Sequence, residues 1–309
     1  MRTVAVQTGA DERGGGMPAG GKPTVHSRRL GHALKSLRLA ARLDQEHAAE
    51  AVACSAAKIS RIESGAVSAR VGDVRMLLDL YGVESAEERR RLETLARNSN
   101  KRGWWLDFEF QAPSMERLGD YLSLETDATY IRTWQPVFIP GLLQTPEYTR
   151  ALTDANPEAL AAGAADAIVA VRQERRRIFE KSGAWFAAVI WEPALTSPMP
   201  SSVAHRAQLA HLMEMAEQPR KTIQVLPHGE WAAARVSPAF VALSYANEAA
   251  PDVIVQDTMI NSVILDGQED MAGYMHAFDA LRSAALTPAQ SIAFIKKILN
   301  SIAGEKEET

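Results

Sequence analysis

The chain has 309 residues, 46% of them hydrophobic, and a net charge of −4, a length that suits two domains each able to bury its own core. Its single cysteine, Cys54, excludes an internal disulfide framework, and no stretch approaches the roughly 18 consecutive apolar residues of a membrane-spanning helix. The N-terminus shows no apolar signal core, so the chain is expected in the cytoplasm.

Residues 1–24 are rich in glycine and small polar residues and lack periodicity, which predicts a disordered arm. With Arg2, Arg13 and Lys22 as its only bases, a plain tail fits this arm better than a groove-binding one. A first helix follows over 26–42, with Leu30, Leu34, Leu37 and Leu39 apolar and Arg28, Arg29, Lys35, Arg38 and Arg42 basic. Residues 45–64, QEHAAEAVACSAAKISRIES, then carry helix-turn-helix spacing: two short amphipathic segments, a small residue at Ala49 and a break at Ala53-Cys54. Asp44 and Ser55 are the expected N-caps, each opening a helix whose free N–H groups suit a phosphate. Ala48, Val52, Ile59 and Ile62 should face inward. Ala56, Ala57, Lys58, Ser60 and Arg61 are then left outward as the candidate recognition face.

Within that face Arg61 can fork onto guanine O6 and N7, while Ala56 and Ala57 offer only contact with a thymine methyl. Gln45 and Ser55 at the helix starts, with Lys58 and Ser60 beside the reading face, are expected to hold phosphates. Cys54 is expected as a small apolar filler, with a redox role as the alternative. The competing reading of the whole region is an all-helical structural domain whose spacing matches by chance. Helices four and five are placed at 71–81 and 86–98, so the pattern extends over about 70 residues.

This pattern resembles the phage-repressor, or Xre-type, class, which implies a five-helix DNA-binding domain over 25–102. In that class an arginine near the end of the first helix pairs with a glutamate at the end of the recognition helix. The resemblance therefore assigns a structural ion pair to Arg38 and Glu63. Arg42 and Ala53 depart from the class, standing where turn glycines are usual, and positive φ there would strain each by about 1 kcal/mol.

Charge divides in the same way. Residues 25–103 hold 15 Lys and Arg against 10 Asp and Glu, while 104–309 hold 16 against 26, as a DNA reader joined to an acidic body would. Ordinary solvated surface would also produce this division.

Beyond Arg102 the character changes. Gly103-Trp104-Trp105 ends the fifth helix, 121–133 looks helical, and 135–144 (QPVFIPGLLQ) looks extended and turn-rich. Helices are expected at 164–181, 203–217, 268–285 and 288–302, and strands at 184–191, 222–226, 239–245, 253–256 and 262–265. The fold class is α+β, with a mixed helix and sheet C-terminal domain over 103–309.

The segments RGWW (102–105), LETDATYIRTWQPVFIPGLLQTPEYTRAL (124–152) and QLAHLMEMAEQPRKTIQVLP (208–227) resemble large actinobacterial regulators of the WhiJ type. PGLLQT followed by Tyr148 is the most specific of these. The resemblance implies transcription control through a C-terminal domain of uncertain function. It also implies a small partner protein in an antitoxin-like arrangement.

No catalytic or metal motif is present, and no cofactor is expected. His205 and His211 lie six apart, off the four-residue spacing that stacks two imidazoles. Glu192, Asp252, Asp257 and Asp266 near strand ends could pair, though such acids are commonly solvated. Of six tryptophans, Trp185 and Trp191 are expected in the core by strand alternation, and Trp134 and Trp231 are the candidates for contact with a ligand or partner. The expected whole is a homodimeric, sequence-specific regulator of double-stranded DNA on a pseudo-palindromic operator, outside the membrane. The ten apolar positions of the two closing helices are the expected source of dimerisation. An antitoxin-like protein whose main task is binding a small partner, and an enzyme with a DNA-binding module, are the alternatives.

Overall fold

A computed structural model of the chain describes residues 24–99, 103–104, 115–155, 164–197, 199, 201–245, 252–257, 262–265 and 268–304. All of the expected arm except Thr24 lies outside the described residues, as do Trp105 and Asp266. The described residues fall into two compact units, those within 1–84 and 92–100 and those within 85–91 and 101–309.

In the first unit, helix boundaries follow local chemistry. α1 (Val25–Ala40) starts on a reciprocal capping box, in which Ser27 N–H donates to Thr24 Oγ1 at 3.2 Å and Thr24 N–H donates to Ser27 Oγ at 2.9 Å. It stops two residues short of the expected end because Arg42 turns to φ 59°. α2 (Gln45–Ala51) and α3 (Ala56–Glu63) are capped by Asp44 and Ser55, whose oxygens accept from the N–H groups of His47 and Lys58. α4 (Val71–Leu80) follows, and of α5 (Ala86–Asn98) the part from Leu92 onward belongs to this unit.

The core of this unit is Leu30, Leu34, Ala48, Ile59, Ile62, Val74, Leu77, Leu78, Leu92 and Ala96, all essentially inaccessible. Each large member contributes about 1.5–3 kcal/mol by leaving water. Gly31 lets α1 cross directly over the end of α3: a Cβ at this position would lie 2.3 Å from the Ile62 carbonyl oxygen and 2.6 Å from that of Glu63. Ala49, one turn before the break, is buried in the same core.

The second unit is built on a six-stranded mixed sheet in the order β3-β2-β1-β4-β5-β6. α6 (Met115–Asp127) leads into β1 (Tyr130–Gln135), the strand between the parallel and antiparallel halves. The sequence pattern had run a helix through 121–133, so the central strand was missed. Tyr130, Ile131, Thr133 and Trp134 are β-formers, and their pairing to β2 (Trp185–Trp191) on one side and β4 (Phe240–Ser244) on the other overrides the helical period. Between β1 and β2 come a 3-10 turn at Gly141–Leu143, α7 (Pro146–Asp154) and α8 (Ala164–Ser182).

After β2, short α9 (Pro193–Thr196) and α10 (Ser202–Glu217) lead to β3 (Lys221–Leu226), and α11 (Trp231–Ala234) precedes β4. α7, α9 and α11 were not legible in the sequence. β5 (Val253–Asp257) and β6 (Ser262–Leu265) extend the sheet antiparallel, followed by α12 (Gln268–Ala284) and α13 (Pro288–Gly304). On one face Phe278 and Leu281 of α12 pack on Trp134, Ala187, Val189, Phe240 and Ile254. Against the other face Phe179 of α8 meets Phe186, with ring centroids 5.3 Å apart.

The edge of β3 is closed by the start of α13. Val225 N–H donates to Ser291 Oγ at 2.9 Å and Leu286 N–H donates to Val225 O at 2.9 Å, so this edge offers no ladder there to another chain. Of the ten apolar positions expected to drive dimerisation (Met271, Tyr274, Met275, Phe278, Leu281, Ile292, Phe294, Ile295, Ile298, Leu299), Phe278, Leu281 and Ile295 are buried and the other seven half-buried, the five on α12 packing into the core of the sheet.

Candidate nucleic-acid interface

The two motif helices are locked by one buried charge network. Arg38 Nε donates to Glu63 Oε1 at 2.6 Å and Nη2 to Oε2 at 3.0 Å, a two-pronged pairing, while Nη1 reaches Leu43 O at 2.7 Å. Gln45 Nε2 adds a fourth bond, to Glu63 Oε2 at 2.9 Å. Burial pushes the Glu63 carboxyl up, but the bonds from Arg38 and Gln45 and the Arg38 charge hold it below its ordinary range. Arg38 is raised chiefly by its bond to Glu63. Burial, with Glu63 nearby, pushes the Tyr81 phenol up to about 12.

This network gives Gln45 a role that was not expected, because one of its amide N–H groups is held by Glu63. The recognition face is also narrower than expected. Ala57, Ser60 and Arg61 are exposed, as is Ser55 at the cap, and the Arg61 guanidinium meets no partner among the described residues. Ala56 packs against the core, and Lys58 is half-buried with Nζ 3.4 Å from Asp73 Oδ2 on α4. Asp73 was missed because charge complementarity between α3 and α4 shows only once they pack. Gly31 carried a signal: a glycine inside a helical pattern costs stability unless a close approach requires it.

Arg42 (φ 59°) and Ala53 (φ 49°) both adopt left-handed backbone. Each lies between two helices, at the end of α1 and between α2 and α3.

In the second unit the PGLLQT segment and Tyr148 organise a buried polar cluster. Gln144 Nε2 donates to Ile139 O at 2.7 Å, Ile139 N–H to the Tyr148 hydroxyl at 3.3 Å, and Gln208 of α10 bridges Thr145 N–H and Leu143 O at 2.8 Å each. Arg172 donates to the Gln144 carbonyl. Next to it, Arg175 pairs with Glu125 through two 2.8 Å bonds. In this cluster the Gln144, Thr145, Tyr148 and Gln208 side chains each bond a backbone group of the 139–148 segment.

The tryptophan expectations change. Trp134 is 0% exposed, with its indole N–H donating to Ser237 O at 3.0 Å, so it is a core residue and no contact site. Trp185, expected in the core, is 56% exposed at the start of β2 beside Arg220. Trp231 is 58% exposed, with the Arg235 guanidinium 5.1 Å from its ring centre. Trp191 stacks on His228, centroids 5.6 Å apart.

The strand-end acids are engaged separately: Glu192 Oε2 accepts from His228 N–H at 2.8 Å and Asp252 Oδ2 from the Ser244 hydroxyl at 2.5 Å. His205 contacts Leu195 O and His211 lies near Glu214, so the two share no ligand position. No group of three or more metal-ligating residues is present among the described residues, and no described helix is long and apolar enough to cross a membrane.

A capped, charge-locked pair of short helices presenting Arg61, joined to an α+β unit, places the protein in the helix-turn-helix DNA-binding class. Residues 29–92 match the helix-turn-helix domain family, and residues 118–297 match the family described as domain of unknown function (DUF5753). The chain belongs to that DUF5753 family, since the match covers more than half of it. No curated protein and no solved structure matches the chain.

Proposed function

We propose that the protein is a sequence-specific, cytoplasmic transcriptional regulator without catalytic activity, of the WhiJ type. The observation that carries this reading is the exposed face of α3. Arg61 meets no partner among the described residues and lies exposed with Ala57 and Ser60, on a helix held by Arg38, Glu63 and Gln45. Such a helix docks in the major groove, and a homodimer would set two of them roughly 34 Å apart on a pseudo-palindromic operator. Arg61 is the base-reading group. Ser55 and Ser60 position the phosphate backbone, with Lys58 joining them once it leaves Asp73.

The C-terminal domain receives the signal, from a small molecule or a small partner protein. Trp231 is the surviving candidate of the two tryptophans, being exposed. An antitoxin-like role remains the second reading, favoured only by the family resemblance of the 124–152 segment.

Footprinting on the protein's own promoter supplies the operator, after which binding is measured across operator variants. Arg61→Ala should lose about 1–3 kcal/mol at one base position of each half-site. An equal loss on every sequence would move Arg61 to the backbone contacts. No footprint on any DNA would overturn the regulator reading.

A further inference from the structure

The sheet face beneath α12 carries a row of aromatic and basic side chains at the amino ends of its parallel strands. Trp134, Ala187 and Val189 pack in the core with Phe278 and Leu281 of α12. Counting back by twos along β1 and β2 puts Tyr130 and Trp185 on that same face. The two are register partners on adjacent parallel strands. Arg220 precedes Lys221, the partner of Phe186, and so stands level with Trp185 on the other side. Tyr130, Trp185 and Arg220 thus lie side by side across three neighbouring segments of the sheet.

Trp185 stays 56% exposed even with the Arg220 guanidinium 5.8 Å from its ring centre. Arg132 lies 3.7 Å from the Tyr130 ring centre and donates to the Ser244 hydroxyl at 2.8 Å, which donates in turn to Asp252. That carboxylate is held on the β4 and β5 side of Tyr130, whereas Arg220 lies beyond β2 at the opposite end of the row. Arg220 spends one N–H on Gly183 O at 2.9 Å and meets no carboxylate among the described residues. Its backbone is left-handed, φ 63°, beside Gly183 at φ 67°. Glycine would make this turn without strain, so the fold alone does not call for an exposed arginine there. Side chains kept in such backbone gather at ligand sites.

We propose that this row binds a small planar aromatic anion, its ring stacked on the open surface of Trp185 beside Tyr130 and its negative group held by Arg220. An aromatic cation would meet two guanidinium groups, and a neutral ring would leave Arg220 unused. The 16 Lys and Arg against 26 Asp and Glu of residues 104–309 disfavour a polyanion such as single-stranded nucleic acid, whose repulsion accumulates over many charges, far more than one charge lying against Arg220. The site places ligand contact at Trp185 instead of Trp231. It rests on the regulator reading for its purpose, as the input to the DNA-binding unit, but not for its chemistry.

Calorimetric titration of the full chain with 2-naphthoate, an anion at neutral pH, and with its neutral counterpart 2-naphthalenemethanol tests it. The naphthoate should bind saturably and the alcohol at least about tenfold more weakly. Arg220→Gly removes the charge while suiting the left-handed backbone, so the variant should stay folded and bind the naphthoate no better than the alcohol. Trp185→Ala should weaken both probes. No saturation by the naphthoate below about 1 mM, equal binding of the two probes, or unchanged binding by Arg220→Gly each overturns the site. So does an oligothymidylate bound through Trp185 more tightly than the naphthoate. Operator titration of the same preparations separates the two readings. A chain that binds DNA and not the naphthoate refutes the site alone; one that binds the naphthoate and no DNA keeps the site and refutes the regulator.

Discussion

Replacing Arg38 with methionine tests whether the charge network sets the geometry of the recognition helix. Methionine keeps most of the packing volume and removes the two bonds to Glu63, at 2.6 and 3.0 Å, and the bond to Leu43 O at 2.7 Å. Glu63 then stays in the interior with its side chain 4% exposed and only the Gln45 amide as donor. An uncompensated buried carboxylate costs about 3–5 kcal/mol, a large part of the roughly 5–15 kcal/mol that holds a domain folded.

The effect depends on pH, with a definite sign. In the parent protein Glu63 is depressed below its ordinary value, so its contribution is present at neutral pH and lost as pH falls through the lowered folded value. In the variant burial is left largely unopposed and raises the same carboxyl, which then takes up a proton at higher pH. The stability gap should therefore be widest near pH 7 and shrink as pH approaches about 4.

Adding Glu63→Leu should restore most of the loss, since both charges are then gone. Amide hydrogen exchange read on peptides from α1 and α3 measures this locally, within the full chain. A loss under about 1 kcal/mol, a gap that widens in acid, or a double variant no better than the single one would refute the reasoning.

Gly31→Ala would place a methyl 2.3 Å from the Ile62 carbonyl, forcing α1 and α3 apart; we expect a loss of about 1–3 kcal/mol in thermal or urea unfolding, and an unchanged midpoint would show that the helices can part freely. Ala53→Gly should raise stability by up to about 1 kcal/mol by relieving φ 49°, less the extra chain entropy glycine brings, and a clear destabilisation would show that the turn carries no strain. Ser291→Ala leaves Val225 N–H without its acceptor at the sheet edge; faster exchange of that amide and a loss of about 1–3 kcal/mol are expected, and unchanged protection would mean another group takes over.

Much of the N-terminal unit was legible because its determinants are local. Asp44 and Ser55 cap the motif helices from one position before them, and Ile59 and Ile62 repeat at helical spacing. Arg42 and Ala53, standing where the family resemblance puts glycines, do take left-handed backbone. The Arg38–Glu63 pair came from the same resemblance, which compensates for a separation of 25 residues that spacing alone does not bridge. Tertiary packing decided the rest of the face. It turned Gln45 onto Glu63 and Lys58 toward Asp73, contacts between residues that no periodicity links.

In the C-terminal unit the outer strands announced themselves by apolar runs with turn residues around them. β1 did not, since its sequence continues a helical pattern and becomes a strand only by pairing on both edges at once. Trp134 and Trp185 exchanged their expected places for a related reason. Alternation along a strand says which residues share a face, whereas the depth of each depends on what packs there: Trp134 lies beneath α12 and the turn at Ser237, while Trp185, at the start of its strand, stays open to solvent.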